Sequence, residues 1–450
     1  MIADQTVADL VAESTALLQQ LIRNACVNDG TVASGYETRS VETIAAFLGG
    51  RGLECRRYEP KPGRGSLVVR IEGSERSAPS LHLMGHLDVV PANADAWKRD
   101  PFGGELVDGE VWGRGAIDML SITATMAVAV RRLAASGFRP RGTLVYSAVA
   151  DEEALGTWGA DWLARNHWDE VKTDYLVTEV GGARFSIAGG APKFPVAVAE
   201  KGSHWMRLRV AGTSGHGSMP YRTDNAVVKA GELVRRIASY RAPRRFSRTW
   251  RRFVEGIELP APLRAGLVNG PLFDAALPHL PIGVARMFDA VTHTTFSPNI
   301  IRGGVKANVV PDSAEVVIDI RTMPGDGGPE VREMLRDAAG ELWASVEVLE
   351  EGENDATESP SPTPLWESLE RTTATLVPGG RMVPYVLSGA TDARFFRRKG
   401  VTAYGYALLS GRISYDEYGL MFHGNDERVD QESLGLSAQL WERTARDLLG

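Results

Sequence analysis

One histidine and a series of carboxylates, each at or just after an apolar run, carry the chemistry of this chain. The segments are Gly85-His86-Leu87-Asp88-Val89-Val90-Pro91, Gly113-Arg114-Gly115-Ala116-Ile117-Asp118 and Asp151-Glu152-Glu153. A packed core gains nothing from ionisable groups at its strand ends, whereas a hydrolytic metal centre needs them there. Zinc takes imidazole nitrogen and carboxylate oxygen at about 2.0–2.2 Å. Two ions about 3.5–4 Å apart need a carboxylate that can bridge them. His86 supplies a first ligand, and Asp88, two residues on, is placed to hold the imidazole through its other nitrogen. Asp118 stands at a glycine-rich turn before a helix, where it can approach closely and bridge. Glu152 and Glu153 offer two roles from adjacent positions: one carboxylate binds metal while the other stays free as a base. His423, in Phe422-His423-Gly424-Asn425-Asp426-Glu427, can close the set around a second ion. Singly, a histidine at a strand end is usually just hydrogen-bonded, and Asp-Glu-Glu is usually solvated charge. The ordered set is what points to a site.

The elements that must position these residues are legible from periodicity. Short Leu/Val/Ile runs predict strands over 66–72, 80–86, 142–149 and 175–178, alternating with helical patterns such as 119–135. That alternation predicts an α/β fold with a mainly parallel sheet and helices on both faces. Sites in such sheets gather beyond the carboxyl ends of the strands, and the polar clusters at 86–88, 151–153 and 179 fall there. Near residue 201 the pattern changes. Residues 204–210 alternate, 212–215 form a turn, 224–238 read as a helix, and a strand over 314–320 is closed by Arg321-Thr322-Met323-Pro324-Gly325. The expected layout is a catalytic domain over 1–202 and 322–450, interrupted over 203–321 by a smaller α+β lid or dimerisation domain. The stretch 241–290, rich in Arg, Pro and apolar residues, has no clear period, and its role is open.

A chain of 450 residues with a net charge of −7 has room for two domains and gives no reason to expect a nucleic-acid partner. Two cysteines, Cys26 and Cys55, fit a reducing compartment. Ile2, Val7, Leu10, Val11, Leu17, Leu18 and Leu21 recur at roughly helical spacing among polar residues, which predicts an amphipathic helix rather than an export signal. The apolar stretch near 271–291 is broken by Asp274, Pro278, Pro281, Arg286 and Asp289, so no membrane span is expected. The expected location is cytoplasmic. His82, His167, His204, His279 and His293 have no ligand-like neighbours and read as structural. The arginines between 235 and 252 read as a solvated face.

The ordered motifs resemble the M20-type metallopeptidases, the group of aminoacylases, glutamate-releasing carboxypeptidases, dipeptidases and succinyl-diaminopimelate desuccinylase. Besides the segments above, the resemblance takes in Gly215-His216-Gly217-Ser218-Met219-Pro220, Asn308-Val309-Val310-Pro311, Asp319-Ile320-Arg321 and His423-Gly424. It implies two zinc ions, with cobalt or manganese as substitutes, held by His86, Asp118, Glu153, Glu179 and His423, with Asp118 bridging. It implies Glu152 as general base and Asp88 as the residue that orients His86. Glu179 lies in Thr178-Glu179-Val180-Gly181-Gly182, where the family's Asp or Glu is usually followed quickly by Gly. His216 becomes the oxyanion donor, reaching the site on domain closure or from the partner subunit of a homodimer. Arg321 becomes a clamp for a substrate carboxylate, or else a salt bridge at the domain junction. Asn308 becomes a substrate contact, and Gly389, in Ser388-Gly389-Ala390-Thr391-Asp392, part of a substrate loop. The implied reaction is zinc-dependent hydrolysis of an amide bond in a dipeptide, a peptide C-terminus or an N-acyl amino acid. A biosynthetic deacylase such as succinyl-diaminopimelate desuccinylase is the second reading, and calls for a more cationic, less apolar pocket. A metal-binding scaffold without activity is the third, and Glu152 argues against it because binding alone needs no base.

Overall fold

The computed structural model describes residues 2–450 apart from 32, 51, 187–189, 281 and 353, with side chains from residue 7 onward. Its larger sheet runs in the order Cys55–Tyr58, Ser66–Ile71, Leu144–Val149, Leu81–His86, Tyr175–Thr178, Thr402–Gly405, Lys193–Glu200 and Thr357–Glu358, and Arg381–Leu387 pairs alongside Lys193–Glu200. The four strands in the middle, Leu144–Val149 through Thr402–Gly405, are mutually parallel, and the flanking pairs are mostly antiparallel. Parallel strands need cover on both faces, and alternate residues divide accordingly. Leu81, Leu83, Tyr146, Ala148 and Val177 join the core under helices Ile2–Arg23, Leu120–Ala135 and Gln431–Leu449. Met84, Val145, Val149 and Leu176 join a second core with Leu163, Ala393 and Phe396 on the opposite face. Close approach matters at Gly85, where an added Cβ would lie 2.3 Å from Thr123 Oγ1. The strand that delivers His86 thus packs directly on the helix that follows Asp118.

A smaller antiparallel sheet runs Thr295–Gly303, Ser313–Thr322, Met206–Ala211, Val346–Glu351. Ser313–Thr322 alternates buried with less buried positions along its whole length, the signature of a sheet covered on one face. That cover includes helices Ala226–Ser239 and Gly328–Ala339, through Leu233, Ile237, Val331 and Leu335. The structure moves the expected 203–321 boundaries. The turn after Arg321 ends a strand but not the layer, because the next helix and Val346–Glu351 still belong to it. Conversely, Trp250, Phe253, Phe273 and Phe288 pack into the core of the large sheet, so much of 241–290 is an appendage of the catalytic layer. An amphipathic helix shows that it buries a face, but not which sheet it covers. Among the described residues, no helix is long and apolar enough to cross a membrane.

Candidate active site

The polar clusters converge beyond the carboxyl ends of the parallel strands. His86, the last residue of Leu81–His86, is 1% exposed. Its Nδ1 lies 2.9 Å from the Asp88 main-chain oxygen and 3.6 Å from the Asp88 carboxylate. A carbonyl can only accept, so Nδ1 carries the proton and Nε2 turns its lone pair into the site. The Asp88 carboxylate has different work from the ring-holding expected of it. It accepts the main-chain N–H groups of Glu152 at 3.1 Å and Glu153 at 3.0 Å, and Asn28 Nδ2 at 2.8 Å. The main chain of Asp88 therefore fixes the ring, and its side chain fixes the turn Glu152–Ala154. That turn is bracketed by Asp151 and Leu155, both with positive φ, at 72° and 79°, a conformation non-glycine residues adopt when surroundings impose it. Arg64, buried among Asp151 and Glu37, anchors the turn from below.

Asp118 lies between two imidazoles. Its Oδ1 is 3.2 Å from His86 Nε2, and its Oδ2 is 3.2 Å from His423 Nε2. Glu179 Oε2 is 3.6 Å from His86 Nε2, and Glu153 Oε2 is 3.2 Å from His423 Nε2. The five expected ligands thus come together as two half-sets sharing one carboxylate. Glu152 lies close as well: His86, Glu152 and Glu179 place donor atoms within 4.8 Å of one another, as do His86, Asp118 and Glu153.

The electrostatics fit a cation. Burial pushes Glu179 up to about 8, with Asp118 adding to it. Burial and then Glu179 raise Glu152 well above the carboxylate range, and burial and then Asp118 raise Glu153. His423 is pushed up to about 10 by its contacts with Asp118 and Glu153. Only Asp118 goes down: burial favours its neutral form, but His423 and His86 outweigh burial. Among the described residues, neither lysine nor arginine pairs with Asp118, Glu152, Glu153 or Glu179. Glu153 Oε1 is buried without a hydrogen-bond partner. Four crowded carboxylates with only two imidazoles among them are costly unless they coordinate a metal, and this donor set suits a divalent ion.

A cleft of about 1010 Å³ opens onto Asp118, Glu152, Glu153, Glu179 and His423. Arg321 and Gly389 line it. Arg321 is already forked onto Asp319, Nε to Oδ1 at 2.7 Å and Nη2 to Oδ2 at 3.1 Å, and it lies over Trp205. His216 and Asn308 are not among the residues lining the cleft. They share a two-stranded ribbon in which His216 pairs with Val309 and Gly217 N donates to Asn308 O at 2.8 Å. Sequence reasoning missed two supports. Glu427 is fully buried and accepts from Ile117 N at 2.7 Å, Asp118 N at 3.0 Å, Gly115 N at 3.1 Å and Arg114 Nη1 at 2.8 Å, so it shapes the turn that presents Asp118. Its only signal was its place four residues after His423. Arg394 donates to Thr391 O at 2.6 Å and Leu155 O at 2.8 Å, joining the substrate loop to the turn of Glu152. Nothing in its spacing marks it.

The fold and this site define a metal-dependent hydrolase. Residues 82–447 match the model of peptidase family M20/M25/M40, and the chain belongs to that family. It is 30% identical to the human N-fatty-acyl-amino acid synthase/hydrolase PM20D1, over 82% of this chain and 74% of that protein. It is 26% identical to human aminoacylase-1, over 84% and 82% respectively. A metallo-carboxypeptidase of the same family from Sulfolobus solfataricus superposes with a TM-score of 0.72 at 15% identity, covering 97% of this chain and 99% of the other.

Proposed function

We propose that the chain is a zinc-dependent amide hydrolase acting on an N-acyl amino acid or on the C-terminal bond of a peptide. The observation that carries this is Asp118, with one oxygen on each of two imidazoles and a further glutamate beside each imidazole. His86, Glu179 and one oxygen of Asp118 would hold one ion; His423, Glu153 and the other oxygen would hold the second. When bound, such a pair lowers the pKa of water and polarises a carbonyl. Glu152, outside both half-sets, accepts a proton from the attacking water and returns it to the leaving amine. Arg321, with one nitrogen still free of Asp319, and the loop at Gly389 receive the substrate carboxylate.

His216 Nδ1 accepts from Ser218 N at 3.2 Å, which leaves Nε2–H as a donor. We assign that donor to the oxyanion and Asn308 to a neighbouring substrate contact, brought to the cleft by a second copy of the chain or by closure of the small layer. The names of the relatives, an N-fatty-acyl-amino acid hydrolase and aminoacylases, favour acyl amino acids over peptides. Neither Cys26 nor Cys55 is in a disulfide, which accords with a cytoplasmic enzyme.

The test is Glu152→Gln with zinc content measured alongside turnover. The expected variant keeps wild-type metal and loses about 10²- to 10⁴-fold in kcat. A metal-replete variant within tenfold of wild type removes Glu152 from the mechanism. Lost metal would instead make it a ligand.

A further inference from the structure

We propose that the wall formed by helices Ile282–Ala290 and Tyr415–Met421 is a channel for a long unbranched hydrocarbon, the acyl chain of the substrate. The inference rests on the amide-hydrolase reading and adds the chemistry of the acyl group. Ile282, Met287, Tyr415 and Leu420 line the same cleft as the metal-site carboxylates, with Tyr385 and Leu387 of strand Arg381–Leu387 beside them. Ile282 is 68% exposed and Leu420 79% exposed. Large aliphatic side chains left open on facing elements of a concave site mark a surface that an apolar ligand covers. The two helices are joined where Tyr415 OH meets Met287 Sδ at 3.5 Å, so the wall is one built surface. Methionine there adapts to a flexible chain.

Three features together select a long hydrocarbon, the first over a short acyl group and the other two over a peptide. The cleft, at about 1010 Å³, reaches the top of the roughly 300–1,000 Å³ usual for small-molecule sites, more than a short acyl amino acid fills. Its charged lining away from the metal cluster is sparse on these two helices, namely Arg286 and Asp416, whereas Ser203, Arg321, Asn354 and the 388–391 loop supply polar lining from other elements. Helices also satisfy their own main chains, so a peptide backbone laid along this wall would find few partners. A methylene chain needs none.

The test uses the full-length, zinc-loaded protein and N-acyl derivatives of one amino acid, from acetyl to tetradecanoyl. The expected kcat/KM rises about twofold per half-buried methylene and about fourfold per fully buried one until the wall is filled. Ile282→Asp/Leu420→Asp changes two exposed positions, so folding is not at stake. It should lower the ratio of dodecanoyl to acetyl kcat/KM by tenfold or more. Direct titration with tetradecanoate gives a readout without chemistry: wild type binds, and the double variant binds at least tenfold more weakly. Hydrolysis with a flat chain-length profile, or a profile unchanged in the variant, overturns the channel and leaves amide hydrolysis standing. Absence of any hydrolysis overturns the proposed function, and the tetradecanoate titration then still decides the channel.

Discussion

Replacing Asp88 by asparagine separates two roles that look alike in sequence. If the carboxylate served chiefly to hold the His86 ring, the variant would loosen the imidazole. The geometry predicts a different failure. Asp88 Oδ1 receives Glu152 N–H at 3.1 Å, while Oδ2 receives Glu153 N–H at 3.0 Å and Asn28 Nδ2 at 2.8 Å. An asparagine has one acceptor oxygen. It will place that oxygen where Oδ2 stood, saving two bonds, and its NH₂ will then face Glu152 N–H, donor against donor. One orphaned buried donor costs about 1–3 kcal/mol. The cost falls on the turn that carries the proposed base, so amide exchange at Glu152 should speed up roughly 5- to 150-fold. The His86 ring, bonded to the Asp88 main chain, should keep its tautomer. Hydrogen exchange at residues 151–155 and the His86 ¹⁵N shifts read the two effects separately, and kcat should fall with metal content unchanged. Wild-type protection at Glu152 together with an altered His86 tautomer would refute the reasoning.

Stripping the metal with a chelator should lower the thermal midpoint. Cations present at a hundred times their Kd contribute about 2.7 kcal/mol per site, and a midpoint indifferent to chelation and to added zinc would speak against the cluster as a metal site. His82, fully buried with Nε2 on Ser147 Oγ at 2.7 Å, is pushed down to about 3 by burial. Its folded pKa lies below the unfolded value of about 6.5, so the unfolded chain takes up the proton first. Its contribution is intact above pH 6.5 and is lost as the pH falls toward 3. Against His82→Gln, wild type should lose about 2–3 kcal/mol more between pH 7 and pH 4.5 in urea unfolding, and parallel pH slopes would exclude this. Mixing Glu152→Gln with His216→Ala should restore up to a quarter of wild-type activity if His216 serves the partner's cleft. Equal inactivity of the mixture, with dimers present by light scattering, would place its action within one chain.

The convergence of the candidate ligands was legible in the sequence because each ends a strand or a tight turn, where neighbouring apolar runs fix its position. His86 ends a strand whose residues are all buried, and Glu179 follows a strand whose last three residues are all buried. Arg394, Glu427 and the amide cradle of Asp88 were not legible. They act through main-chain groups of residues 64 to 312 positions away or on a turn whose conformation only the folded chain reveals. Domain membership failed for the same reason. Trp250 and Phe253 announce a buried helix face, but only packing against Arg381–Leu387 and its neighbours assigns them to the large sheet.

The division of charge accords with a site completed by an ion from outside. Arg64, 1% exposed, pairs with Glu37 and Asp151, and Arg114, 3% exposed, pairs with Glu427. Both guanidiniums lie a layer behind the ligands, where they hold the turns that present Glu152, Glu153 and Asp118. Neither pairs with a candidate donor atom; Arg114 reaches only the main-chain oxygen of His423, at 3.4 Å. An arginine among the ligands would neutralise them permanently and leave no acceptor open for a divalent ion. With the fixed cations in the supporting layer, the front layer stays anionic and preorganised, and divalent ions would take the place only of the contacts its imidazoles and carboxylates make with one another.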